Sequence, residues 1–475
     1  MIRLTLKASV TLRTGLALAA ILAGVSPCRA QTVSDESIVE NTTTTSYKSA
    51  NAITPNWSRV LKDYVLIPSA APTPQITGPT GPTPTAKVTD RIKVREYLAP
   101  WRETYVSIRT GPKYINAVVG GFPEGSGLGF GVEFTTADKI PGVELRAMAL
   151  TSTLLYQRYK LEAYFPSVGD ERTRANIWFN YLLATRWNFY GIGPRSIESQ
   201  RTSFQLEQRS YNSLLQRDFT RRLKAGVYAG VANAGATNGD NQNVSPINAF
   251  FSGSPTVTPI TSWAPGLDMN AEIVYYGLYG EYDGRNNERG LVKGWYLYGL
   301  FGSYDGIDNG AVFTDYGWLQ AVLDGRFYIP LGSDKTSFAG RAYAWLENPK
   351  GGSQIPFYYM AFVGGRMFTR GFRNFRFRGN NALVLSAELR QTVWTQKDTR
   401  GLDIHFFGDA GQVWGDNRSS TDPAALANDN FSSSNWRCGV GGGLTYRFNK
   451  AFAVRLELGH SNEGNLAYFS LTRGF

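Results

Sequence analysis

The chain has 475 residues, with 49 Lys and Arg against 38 Asp and Glu. The charges are scattered in short clusters. Nucleic acid is therefore a poor partner, and lipid-headgroup phosphates are the more natural anions. Two histidines (His405, His460) and two cysteines (Cys28, Cys438) leave little room for metal chemistry or a disulfide-stapled domain.

Residues 1–30 read as a secretory signal peptide. Arg3 and Lys7 give a basic start, Gly15 to Val25 is apolar, and Ala30 stands where a signal peptidase would cut. Its loss takes away Cys28 and four basic residues, leaving 45 basic against 38 acidic and a net charge of +7. Residues 31–95 are rich in Thr and Pro, with Thr42 to Thr45 followed by Pro72, Pro74, Pro79, Pro82 and Pro84. Such a stretch cannot build a core, and an extended, poorly ordered periplasmic segment is expected. Val94 to Phe122 is mixed and is expected to plug or brace the barrel mouth.

Residues 96–475 carry the fold. No apolar run from Gln31 onward reaches 18 residues, so no transmembrane helix is predicted. Yet 51 Gly, 26 Tyr, 27 Phe and 11 Trp accompany the export signal. That combination fits an all-β transmembrane antiparallel barrel, which pairs every backbone polar group without a long apolar segment. Period-two alternation gives fifteen candidate strands: 125–135, 143–151, 154–165, 175–189, 202–214, 221–233, 270–282, 293–303, 317–329, 336–347, 382–394, 402–414, 437–448, 452–460 and 466–475. A bacterial barrel needs an even number, so about sixteen strands are expected. The missing one is sought in 234–266, then in 103–120.

Alternation is cleanest near the C-terminus. Leu383, Leu385, Ala387, Leu389 and Val393 share one face, and Ser386, Glu388, Arg390 and Thr392 the other. Apolar residues toward lipid and polar residues toward a wet lumen satisfy both solvents. In the last strand Phe469, Leu471 and Phe475 lie on the lipid face, with Arg473 interrupting the pattern. Gly127, Gly129 and Gly131 near one end of the barrel, and Gly439, Gly441 and Gly443 near the other, form stripes on the lumen face. They are expected to make room for an inserted loop and to loosen the wall at the seam. Barrel curvature alone is an equally good reason for them.

The long connection Asn348 to Asn381 contains Thr369-Arg370-Gly371-Phe372. Glu388 lies in the strand after it, and Phe407, Asp409 and Gly411 in the next. In this order and spacing the chain resembles the BamA/TamA-like assembly and translocation barrels, the bacterial surface antigen superfamily. The resemblance implies that the long sixth extracellular loop folds into the lumen and that the terminal aromatic strand is read by the outer-membrane assembly machinery. It also implies insertion or translocation of a client protein or lipid at the bacterial outer membrane, with no cofactor and no catalytic residue. Relatives of this kind carry periplasmic POTRA domains, whose β-α-α-β-β pattern is not visible here. Physically, Glu388 and Asp409 both point into the lumen from adjacent strands about 4.8 Å apart. A guanidinium fork at Arg370 suits two such carboxylates.

Two other functions compete. A polar lumen also suits a passive pore. His460-Ser461-Asn462 resembles the His-x-Ser-Asn of outer-membrane lipases and esterases, but strand neighbours point to opposite faces and cannot pair readily.

Overall fold

A computed structural model describes residues 92–96, 104–109, 114–123, 125–136, 140–254, 262–286, 293–307, 316–333, 335–396, 400–415, 430–449 and 452–472. The signal peptide, nearly all of the Thr/Pro-rich segment, Arg473 and Phe475 lie outside them. The strands are β1 (Ile92–Glu96), β2 (Thr104–Arg109), β3 (Ile115–Gly120), β4 (Gly129–Thr135), β5 (Glu144–Ser152), β6 (Gln157–Phe165), β7 (Thr173–Phe189), β8 (Thr202–Asp218), β9 (Leu223–Asn238) and β10 (Ser245–Pro246). After them come β11 (Asn270–Asp283), β12 (Gly294–Gly306), β13 (Gly317–Pro330), β14 (Thr336–Pro349), β15 (Ala361–Val363), β16 (Phe377–Gly379) and β17 (Asn381–Gln396). The series ends with β18 (Arg400–Trp414), β19 (Arg437–Asn449), β20 (Phe452–Ser461) and β21 (Gly464–Thr472).

Sequential antiparallel pairing runs from β3 to β21, leaving aside the two-residue β10 and the small β15–β16 hairpin inside the long loop. Among the described residues this run makes the sixteen strands expected of the transmembrane barrel. The strand missing from the alternation is β3, in the second of the two places considered. It is short, and only Asn116 and Val118 within it are buried, so it offers few periods to read. The described residues of 234–266 hold instead the end of β9, β10, a short 3-10 turn (Ile247–Ala249) and loop. Two strands had no counterpart in the sequence pattern: β2 pairs with β3, and β1 with β2. The described residues of 94–122 are mostly strand and extend the sheet, which replaces the plug, one of the two roles (plug or brace) expected there, and β1 straddles the boundary placed at residue 95.

Alternation places Phe130, Val132, Leu161, Ile177, Tyr211, Leu278, Leu297, Phe301, Leu323, Phe406, Leu444 and Leu458 on the outer surface, all exposed. So much contiguous apolar surface requires lipid. Short turns such as 219–222 and 331–335 cluster at one end and long connections such as 190–201, 239–269 and 350–380 at the other, which orients the short-turn end to the periplasm. An aromatic girdle marks that rim. Trp295 packs on Phe327 with ring centroids 5.4 Å apart, Phe327 on Phe338 at 5.7 Å, and Tyr446 on Phe448 at 4.7 Å.

The lumen is not uniformly wet. Its extracellular half is filled by aromatic rings from β7, β8, β14 and the 350–380 loop. Phe357 packs on Phe189 at 4.6 Å and on Phe204 at 4.8 Å, and Phe362 on Phe375 at 4.6 Å. Alternation assigns a face but not its neighbour, so an inward aromatic reads as an isolated exception to the polar row and not as part of a packed cluster.

Candidate functional site

The loop enters the barrel because its own sequence leaves it no other place to bury so many rings. β15 and β16 pair as a three-residue hairpin, and Phe377 and Phe372 close its base with centroids 5.5 Å apart. Between them the chain turns back on itself: Gly365 N–H donates to the Phe372 carbonyl at 3.0 Å. This turn carries Arg370 down onto the lumen wall.

Arg370 is buried and meets carboxylates from three strands. Its Nε and Nη2 donate to the two oxygens of Asp409 at 2.7 and 2.8 Å, a bidentate fork. The Arg370 backbone N–H donates to the same Asp409 at 3.0 Å. Nη1 donates to Glu388 at 3.2 Å and to Glu457 at 2.7 Å. The guanidinium carbon sits 3.4 Å from the centroid of the Phe407 ring, so Phe407 is its floor. Asp409 on β18 and Glu388 on β17 therefore converge on one cation. Glu457 on β20 is a third partner that sequence reasoning missed. It lies on the lumen face of an assigned strand, with Arg455 two residues before it, but no motif singles it out.

The acids are shared further. Arg390 donates to Glu388 at 2.6 Å, and one Arg455 nitrogen donates to Glu388 and Glu457 at 2.7 and 2.8 Å. Arg366, also on the loop, stands 3.6 Å from Glu457. Four guanidiniums thus face three carboxylates in a largely buried site beside the lumen chamber. Such an arrangement need not add net stability over an apolar core, but removing one member leaves a buried charge uncompensated.

Backbone closeness explains the glycines. Gly371 has φ +99°, and a Cβ there would stand 2.8 Å from the His460 carbonyl. Its N–H donates to the Tyr468 hydroxyl at 2.8 Å, and its carbonyl accepts from the Ser461 hydroxyl at 2.8 Å. A Cβ on Gly439 would collide with the Arg370 carbonyl oxygen, and one on Gly459 would come within 2.7 Å of the Gly371 nitrogen. Gly411 faces Thr369 and Val363 of the loop, Gly441 lies against the Phe407 ring and Gly443 against His405. Gly129 and Gly131 line the lumen side of β4 far from the loop tip. Gly127 lies in the turn before β4 with φ +77°, outside the strand row assigned to it. Phe372 is fully buried, and its carbonyl accepts from Tyr468 at 3.3 Å.

Tyr468 and Ser470 point into the lumen from β21, and Phe469 is on the opposite, lipid-side row. Leu471 continues that row in backbone register. His460 and Ser461 do fall on opposite faces. Ser461 is buried and holds the loop, while exposed His460 pairs through Nδ1 with Asn465 at 2.8 Å. No nucleophile–base pair forms there.

Below the loop tip lies a chamber of about 260 Å³, lined by Tyr275, Tyr304 and Trp318 on one side and by Arg341, Glu388 and Glu457 on the other. Arg341 holds the loop from this chamber, donating to the Met367 carbonyl at 2.6 Å while forked onto Asp324 at 3.0 and 3.1 Å.

Among solved structures, the chain is similar to BamA from Haemophilus ducreyi lacking POTRA domains 1–3. The identity is 15%, with 80% of this chain and 74% of that chain covered and a TM-score of 0.54. CdiB from Escherichia coli follows at 14% identity, covering 80% of this chain and 66% of that one, with a TM-score of 0.48. No curated protein matches the chain in sequence. A family model described as the Omp85 superfamily domain matches residues 142–463, well over half the length. This is an outer-membrane barrel, and the chain belongs to the Omp85 superfamily.

Proposed function

We propose that this barrel inserts or translocates client polypeptides at the outer membrane by offering an unclosed strand edge, with the long loop bracing the wall beside it from within. The carrying observation is that the loop tip is held by charge and hydrogen bonds on β17, β18, β20 and β21, whereas on β7 and β8 the loop packs mainly through aromatic rings. Arg370 reaches Glu388, Asp409 and Glu457, while Gly371 is held by Ser461 and Tyr468. Bracing of this kind fixes one arrangement of a wall while the strand edge across the seam is left to exchange partners. No step of this process calls for a nucleophile, a metal or a cofactor; it is templating of backbone hydrogen bonds. Outer-membrane lipids, lipopolysaccharide and the resident assembly machinery are its surroundings.

The test is insertion of a urea-unfolded eight-stranded outer-membrane barrel into proteoliposomes. The intact protein is expected to accelerate its folding by about tenfold over empty vesicles, a barrier change of about 1.4 kcal/mol. Gly439→Leu, which pushes the Arg370 carbonyl off β19, is expected to remove that gain. Equal rates for empty vesicles, intact protein and variant would sink the proposal. A passive pore predicts large stable conductance. The aromatic packing of the extracellular half of the lumen supports small, flickering currents instead.

A further inference from the structure

The barrel sheet has two ends, and the chain treats them differently. β21 pairs with β20, and among the described residues no backbone pairing joins it to β1, β2 or β3. The outer edge of β3, by contrast, is taken. β2 lies antiparallel on it over five residue pairs, from Tyr105 opposite Gly120 to Arg109 opposite Asn116. β1 then pairs with β2 over five more, from Ile92 opposite Ile108 to Glu96 opposite Thr104. The hairpin reaches back across the gap, with β1 coming within 8 Å of β20, Cα to Cα. These residues precede the segment matched by the superfamily domain, which begins at 142.

A strand edge in lipid cannot stay bare, because unpaired N–H and C=O groups have no water to turn to. We infer that the β3 edge is a strand-binding site and that β2, with β1 paired behind it, is its resident occupant, holding the place of a client strand until one displaces it. This regulates the strand edge invoked under the proposed function and rests on that reading.

Three features suit a displaceable occupant. The β2–β3 ladder has five pairs, against fifteen between β7 and β8. Only residues 110–114 separate β2 from β3, so the tether gives the hairpin a high effective concentration and quick return after release. The occupant is also complete in itself: when β2 leaves β3, its pairing with β1 goes with it, so only one ladder must break.

The experiment locks the hairpin. Ser107 and Val118 are direct Cα partners across β2 and β3, a separation a disulfide can span. Ser107→Cys with Val118→Cys, in a Cys438→Ser background, is oxidised or reduced in proteoliposomes. The probe is a synthetic peptide copying residues 464–475 of this chain, with a photoreactive benzophenone replacing Phe469. Expected are ready formation of the bond and a peptide capture at β3 that is lower by about tenfold or more when locked than when reduced. Deletion of residues 92–109 should capture more than the unlocked protein. Failure of the bond to form would show that β2 does not sit on β3 and would overturn the inference while leaving the proposed function standing. Equal capture in locked and reduced protein would overturn the blocking role. If the bond forms and neither reduced nor deleted protein captures peptide, the strand-accepting edge itself fails, and the regulation built on it falls too.

Discussion

The two walls of this barrel are built to different standards. From β7 to β14 the main strands run 13 to 17 residues. β3 and β4 have six and seven, and β5, β6 and β21 have nine each. At about 3.4 Å per residue and a tilt near 40°, β3 and β4 stand roughly 15–18 Å tall. That is less than the apolar band of about 25 Å an outer-membrane barrel usually presents. The far wall has strands long enough to span that band, and the loop meets it chiefly through packed rings. The seam wall cannot span it, and on its C-terminal side the loop makes up the difference with charge and hydrogen bonds. Stability and readiness to open are thus assigned to different arcs of one sheet.

The contrast can be broken most decisively at the charge cluster. Asp409→Ala strips Arg370 of its fork and its backbone acceptor together, and is expected to cost about 3–5 kcal/mol. The seam side should then unfold first. Unheated gels would show loss of the compact fast-migrating form, with proteolysis beginning between β17 and β21. Cleavage beginning in β7–β14 would contradict the division of labour. A smaller effect compares the walls directly. Leu278→Arg, mid-height on β11 and exposed to lipid, should cost about 2–4 kcal/mol, while Val132→Arg on short β4 should cost about 0–1. Equal costs in equilibrium refolding into vesicles would mean that the seam wall is not thin.

The smallest effect is a pH dependence at the extracellular rim, where Glu463 receives the Arg376 guanidinium at 2.8 and 2.9 Å. Burial pushes the Glu463 carboxyl above its ordinary range, against the pull of Arg376. Folding therefore favours the protonated form. That contribution is full below the unfolded value of about 4.3 and is lost as pH rises through the raised one. Glu463→Gln should flatten the melting temperature over this window, an effect of about 1 kcal/mol or less. An unchanged slope would remove Glu463 from the account.

Most of the barrel was legible because period two reports which side of a sheet is wet. Where strands are long, as from 175 to 189 or 382 to 394, the reading found them. Where they shorten at the seam it failed, since β2 and β3 offer three periods each and β1 fewer. The loop motif placed Arg370 beside Glu388 and Asp409, because a set spacing between loop and strand carries a partner across the lumen. Glu457, Ser461 and Tyr468 escaped, as each is an ordinary inward residue until the loop arrives above it. The aromatic dome escaped for the same reason: alternation is a statement about one strand, and the dome is made by several elements meeting.

The grip on Arg370 and Gly371 has an order of events built into it. Glu457, Ser461 and Tyr468 belong to β20 and β21, whereas the turn they hold is translated about ninety residues earlier. The turn cannot seat until that hairpin has arrived, so its docking reports that the closing strands are in place. A copy cut short before β20 would keep its turn loose and open to proteases, and would be removed before it could leave a defective hole in the membrane.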